Sequence, residues 1–314
     1  MSNIFNVKSL FKLTISISLI VWLLASIDFK TLSNELSIIN MMNVSEAFVL
    51  ILLIRLVMAY RWKILLSSFN IYTSYSHLVS IIFISNSIGH ILPGGIGTDI
   101  VRSYQLTKKE GMAEKITASV FIDRIFGFIS MLLLALVASI YASIKFALDL
   151  EIPILICVVM LGLISTYILA KYLSKHKLPN ILKFKLTASV VSFYNKFIYA
   201  LKELNMSWLL IFKSLALSLL VQLIRCITFF ILFKGLNVDA NIIYFLVFIP
   251  IIFILMLLPI SIGGLGIREA SLFYFFGQFG FQLSTCTLVG LLFHTLQIAA
   301  LLPGLILYMK NKNT

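Results

Sequence analysis

Apolar runs of spanning length, such as the uncharged stretch from Ile125 to Ile144, alternate along this chain with short polar breaks, and the apolar positions inside the runs are continuous rather than alternating. Alternation over short stretches is the pattern of barrel strands. A continuous run near 20 residues is the pattern of a helix that crosses a bilayer, because inside lipid every backbone amide must be paired within its own segment. Such runs cover 10–27, 46–66, 116–143, 152–171, 208–234, 241–258, 268–283 and 286–309, the seventh being short. The pattern predicts an all-α integral membrane protein of about eight transmembrane helices, one or two of them re-entrant or broken, arranged as a pseudo-repeat of two halves. We read 1–314 as a single membrane domain, with halves 1–171 and 208–314 joined by a basic segment, 172–207. The first run, near Leu10, has no small-residue cleavage site after it and reads as a retained span.

Lysine and arginine in the short connections set the expected orientation. Lys8 and Lys12 place the N-terminus inside, and Lys310 and Lys312 place the C-terminus inside. The stretch Lys171 to Lys213 carries eight lysines against the single acid Glu203 and is expected to be cytoplasmic. Within it Leu186, Val190, Phe193, Phe197 and Leu201 recur at helical spacing, which suggests an amphipathic helix on the inner leaflet. The run His77 to Leu92 has basic flanks on both sides, with Arg61 and Lys63 before it and Arg102, Lys108, Lys109 and Lys115 after it. That makes it a re-entrant segment, or an ordinary span with a misleading loop.

Composition fits this picture. Hydrophobic residues make up 61% of the 314, charged residues only 12%, and the mean hydropathy is +1.06. A surface so apolar requires lipid as its solvent. The net charge of +13 belongs to residues flanking the runs, so it reads as the positive-inside signal and attraction to anionic lipid, not as a nucleic-acid footprint. Cys157, Cys226 and Cys286 are far apart in apolar runs and read as buried small hydrophobes. No metal spacing, cofactor motif, catalytic constellation or phosphate-binding G-x-x-x-x-G-K loop is present, so the expectation is a non-enzyme without cofactor. His90 and His294 read as hydrogen-bonded interior histidines.

Two segments echo each other. Leu92-Pro93-Gly94-Gly95-Ile96-Gly97-Thr98-Asp99-Ile100-Val101-Arg102 parallels Leu258-Pro259-Ile260-Ser261-Ile262-Gly263-Gly264-Leu265-Gly266-Ile267-Arg268 at a constant offset of 166 residues. Paired Gly/Pro interruptions in two halves point to a central site, since a broken helix exposes unpaired N–H groups that attract anions. The predicted topology puts both breaks on the cytoplasmic side, which implies parallel repeats. An inverted pair requires one span to be wrong.

Arginine usage adds to this. Of 25 basic residues only six are arginines, at 55, 61, 102, 124, 225 and 268, and none lies in the lysine-rich segment. Guanidinium groups give bidentate geometry that lysine lacks. Arg102, Arg124 and Arg268 keep company with Asp99, Asp123 and Glu269, and these six are read as functional. Arg61, and with it Arg55 and Arg225, is read as snorkelling to the interface. The candidate substrate-binding set is therefore Gly94, Gly95, Gly97, Asp99, Arg102, Asp123, Arg124, Gly263, Gly264, Gly266, Arg268 and Glu269.

These blocks resemble the lysylphosphatidylglycerol synthase transmembrane family, also called the flippase-like domain family. The resemblance rests on Arg61-Trp62, on Leu92 to Asp99 with Arg102, on Ala118-Ser119-Val120 with Asp123-Arg124 and Gly127, and on Leu258 to Gly266 with Arg268-Glu269-Ala270. Thr98 stands where the family often has a second glycine. The resemblance implies a membrane module of the inner or plasma membrane that moves an anionic phospholipid or a polyprenyl-phosphate-linked glycolipid between leaflets. In the bifunctional synthases an aminoacyl-transfer domain follows this module. The last predicted span ends five residues before Thr314, so lysine transfer is not expected here. Two other readings stay open: a scaffold for a separately encoded glycosyltransferase or lipid synthase of the envelope, and an integral transferase acting on lipid-linked sugar. Facilitated flipping and proton coupling through Asp99 or Glu269 are both compatible with the sequence.

Overall fold

Four apolar helices form the frame. A computed structural model describes residues 35–89, 96–146, 151–158, 160, 206–257, 261 and 263–312. The predicted first span at 10–27, most of the fourth at 152–171, the amphipathic segment at 186–201 and His90 lie outside them. Helix α1 is Met41–Ser67, α2 Tyr75–Gly89, α3 Ile96–Glu110, α4 Ala113–Phe146, α5 Trp208–Lys234, α6 Ile242–Leu255, α7 Ile267–Phe276, α8 Leu283–Ala299 and α9 Leu302–Lys312. No strand occurs among the described residues, and the protein is an all-α membrane protein. The helices long and apolar enough to cross a membrane are α1, α4, α5 and the α8–α9 rod, taken over Leu283–Met309.

Each long helix divides into a packed stripe and an outward apolar stripe. On α1, Val49, Leu53, Leu56 and Tyr60 follow helical spacing and are exposed, which is the face offered to lipid. The opposite face buries Ala47, Ile51, Ile54, Ala59, Trp62 and Leu66. Asn40 and Ser207 start α1 and α5 by accepting hydrogen bonds from Met42 N–H and Leu210 N–H. Asn40 N–H donates to Gly235 O at 2.9 Å, so the start of α1 stands beside the end of α5 and the two run antiparallel. Cys226 and Cys286 are buried, whereas Cys157 is exposed, contrary to the sequence reading.

The re-entrant reading of His77 to Leu92 has a structural counterpart. Helices α2 and α3 have 15 residues each, about 22 Å of helix, well short of a hydrocarbon core near 30 Å. They fold back on each other: a Cβ on Gly89, at the end of α2, would stand 2.3 Å from Thr98 N near the start of α3. The charges of Lys109 and Glu110 at the far end of α3 act on His77 at the start of α2. Both open ends of this hairpin therefore lie together, on the side where α1 ends.

The sixth and seventh apolar segments, read from the sequence as two spans, form a second hairpin instead. Helix α6 has 14 residues and α7 only 10. Phe248 at the middle of α6 stacks on Phe275 near the end of α7 at 5.1 Å, and Phe245 in the first turns of α6 meets Phe276, the last residue of α7, at 4.9 Å, so the arms are antiparallel. Phe233 of α5 packs on both Phe245 and Phe276, which ties the open end to the end of α5. The two hairpins thus open at opposite ends of α1. The repeat is inverted, and the parallel arrangement inferred from loop charges is corrected: it followed from counting α6 and α7 as separate crossings.

The last predicted span is broken. Pro303 has no N–H to offer Ala299, and the helix stops and restarts at Leu301–Leu302. Side chains from elsewhere meet the carbonyls around the break: Arg55 donates to Ala300 O and, at 3.3 Å, to Gln297 O, while Ser87 Oγ donates at 2.7 Å to Leu301 O, which also accepts from Leu305 N–H. Arg55 is buried and does not snorkel. The backbones of α2 and α9 nearly touch, for a Cβ on Gly304 would lie 2.2 Å from Phe83 O.

Candidate functional site

Both hairpins, the first through the start of α3 and the second through its glycine turn, reach one cavity. Its volume is about 1050 Å³, and its wall includes Thr98, Asp99 and Arg102 of α3, Asp123, Arg124 and Gly127 of α4, Gln222 and Arg225 of α5, and Met256, Leu257, Gly263 and Gly264 of the second tip. A cavity of this size has the volume of a small-molecule ligand site.

The tips are built differently. The first is continued by α3, whose first turn carries Asp99. The second is a turn through Gly263, Gly264 and Gly266, all at positive φ (62°, 76° and 81°), where a Cβ would clash with its own backbone. At Gly264 a Cβ would also meet Met256 Cε at 2.1 Å. Glu269 closes this turn: its Oε2 accepts from Gly266 N–H at 2.7 Å at the start of α7, where a carboxylate is favoured by the exposed N–H groups.

Five charged side chains make a continuous ladder into the cavity wall. Arg61 Nε pairs with Asp123 Oδ1 at 2.6 Å, and Arg102 Nη1 takes Asp123 Oδ2 at 3.0 Å. Arg102 Nη2 meets Asp99 Oδ1 at 2.8 Å, and Arg124 Nε takes Asp99 Oδ2 at 2.6 Å. Every carboxylate oxygen in the ladder is engaged. Side-chain exposure rises along it, from 2% at Asp123 through 19% at Asp99 to 38% at Arg124. The buried end has further support. Arg61 Nη1 donates to Ser218 Oγ at 2.8 Å, Trp62 Nε1 donates to Ser119 Oγ at 3.0 Å, and the Arg102 guanidinium sits 5.2 Å from the Trp62 ring centre. Two aspartates, Asp123 buried and Asp99 half-buried, between three arginines satisfy the requirement that charge inside a membrane protein be paired.

The sequence-predicted residues are therefore distributed unevenly. Asp99, Arg102, Asp123, Arg124, Gly263 and Gly264 line the cavity. Gly97 is buried against Gly89, and Gly266 is buried at the start of α7. Gly94 and Gly95 lie outside the described residues. Arg268, fully buried, pairs with Glu269 Oε1 at 2.8 Å and lies 5.4 Å from the Phe293 ring centre, away from the cavity wall. Glu269 packs so closely on α8 that a Cβ on Gly290 would meet its Oε1 at 2.7 Å. Two residues read as snorkelling are in the site: Arg61, which anchors the ladder, and Arg225, which lines the cavity. Gln222, three residues before Arg225 on one face of an otherwise apolar helix, is the local signal that distinguishes Arg225 from an interfacial arginine.

The profile of the Lysylphosphatidylglycerol synthase TM region matches residues 9–304. The chain belongs to that family. Within this lysylphosphatidylglycerol synthase TM-region protein, all the motif blocks, both hairpins and the cavity fall inside the matched stretch. A protein of Methanothermobacter thermautotrophicus described as a UPF0104 membrane protein is 27% identical over 152 residues, which is 48% of this chain and 43% of that relative. The match thus spans less than half of the relative's length. No solved structure matches the chain.

Proposed function

We propose that the protein is a lipid translocase whose cavity accommodates the head group of an anionic phospholipid or a polyprenyl-phosphate-linked glycolipid while the acyl or prenyl chains stay in the bilayer. The observation that carries this reading is the cavity itself. It is lined by four arginines and two aspartates, with an otherwise largely apolar wall, and two broken hairpins reach it from opposite ends of the frame. An inverted pair of interrupted helices around a central polar site is how a membrane protein can serve both leaflets with one binding place. Arginines at such depth favour phosphate, whose oxygens match the guanidinium fork. The reading places the protein in the inner or plasma membrane with both termini cytoplasmic and gives it a lipid, not a nucleic acid, as partner.

Reconstitution tests it. Purified protein in vesicles carrying head-group-labelled phospholipids is expected to expose inner-leaflet label to an impermeant quencher far faster than protein-free vesicles do. Absence of movement for every phosphorylated lipid tried, by protein shown to be folded and inserted, overturns the proposal.

A further inference from the structure

The ladder accounts for three of the four cavity arginines. Asp99 and Asp123 spend all four oxygens on Arg61, Arg102 and Arg124. Arg225 stands on α5, and among the described residues its hydrogen-bonding and ring partners are neutral. Its Nη1 donates to Gln222 Oε1 at 2.6 Å, and its guanidinium carbon lies 4.1 Å from the Phe253 ring centre. Gln222 is itself held, its Nε2 donating to Gly127 O of α4 at 3.4 Å. Among the described residues Arg225 meets no carboxylate. Of the five N–H groups of a guanidinium, one is used. An aromatic face and a fixed amide thus hold a cation at the cavity wall with its remaining donors unassigned to protein.

A cation in this setting is costly unless something supplies negative charge. The cavity as a whole has a surplus of two positive charges, from four arginines against two aspartates. We infer that Arg225 receives the phosphate of the head group, and that the preferred ligand carries two negative charges on phosphate, as a phosphomonoester or pyrophosphate-linked lipid does. A phosphodiester lipid with one charge leaves part of the surplus unmatched, and a zwitterion leaves all of it. This inference rests on the lipid-translocase reading and sharpens its substrate class.

The test is lipid retention by the purified full chain in detergent, read by native mass spectrometry against phosphatidic acid, phosphatidylglycerol and phosphatidylcholine. The wild-type protein is expected to retain phosphatidic acid most tightly. Arg225→Gln is expected to weaken phosphatidic acid binding about tenfold or more, the loss of one charged hydrogen-bonding partner, and to shift phosphatidylcholine by less than about threefold. Lys213→Gln, on the exposed part of the same helix, is expected to leave all three unchanged. Arg225→Lys keeps the charge but loses the planar fork and its stacking, and an intermediate loss is expected. It decides the matter if the glutamine variant does not give monodisperse protein. A wild-type protein that retains no anionic lipid above phosphatidylcholine sinks the translocase reading itself. A wild-type protein that prefers anionic lipid, but binds phosphatidylglycerol as tightly as phosphatidic acid or is indifferent to both Arg225 variants, overturns this inference alone.

Discussion

Asp123 carries more of the site than any other residue, because each of its oxygens is taken by a different buried arginine. Asp123→Asn keeps the shape and removes the charge, leaving Arg61 and Arg102 buried with a neutral partner. Breaking one partner of a buried ion pair costs about 3–5 kcal/mol, so the variant is expected to lose a large fraction of the fold's stability. Thermal unfolding in detergent checks this, and a midpoint equal to wild type refutes it. The same ladder explains what could be read from sequence at this scale. Asp123 and Arg124 adjoin in sequence but pair elsewhere, Asp123 with Arg61 and Arg102 and Arg124 with Asp99, whereas Asp99 and Arg102 pair as neighbours along the chain, so their chemistry was visible. Arg61 was not, since its partner lies 62 residues away and only helix packing joins them. Arg268 presents the opposite case: the Gly/Pro break before it drew it toward the cavity, but Glu269 beside it turns the guanidinium inward and seals it.

At the level of helices, the sequence revealed apolar runs and breaks but not which breaks are tips and which are hinges. The stretch 241–283 reads as two spans, 241–258 and a short 268–283, because its apolar content suffices for two. Only the facing of Phe245 with Phe276 and of Phe248 with Phe275 shows that the chain turns back at the glycines. The last helix reads as one span because a single Pro303 is compatible with a kink, and its restart depends on Arg55 and Ser87 from elsewhere. Close backbone approach supplies a test here. Gly304→Leu puts a side chain where Phe83 O now stands, in backbone that cannot step aside as a side-chain end would. It is expected to separate α9 from α2, measured as loss of disulfide cross-linking between cysteines introduced at Phe83 and Leu305 in a background free of native cysteines. Cross-linking at the wild-type yield contradicts the packing.

For the molecule as a whole, the two hairpins opening at opposite ends of the frame make a prediction about sidedness. Single cysteines at Lys109, beside the open end of the first hairpin, and at Asp239, just before the second, are expected to react with an impermeant thiol reagent from opposite faces of oriented vesicles. Reaction of both from one face rejects the inverted pair. The positive-inside rule could not settle this, because Lys108, Lys109 and Lys115 report where the first hairpin returns and no comparable cluster marks the second.

The contact between α2 and α9 has a mechanical meaning. Where two backbones meet with no layer of side chains between them, there are no rotamers to exchange and no slack to take up, so the first hairpin and the final helix behave as one stator. The second hairpin meets its surroundings mainly through phenylalanine rings, with Glu269 seated against Gly290 of α8. Under the proposed translocase function, the first hairpin and the final helix are therefore expected to keep their mutual spacing through any change of shape that the cavity undergoes.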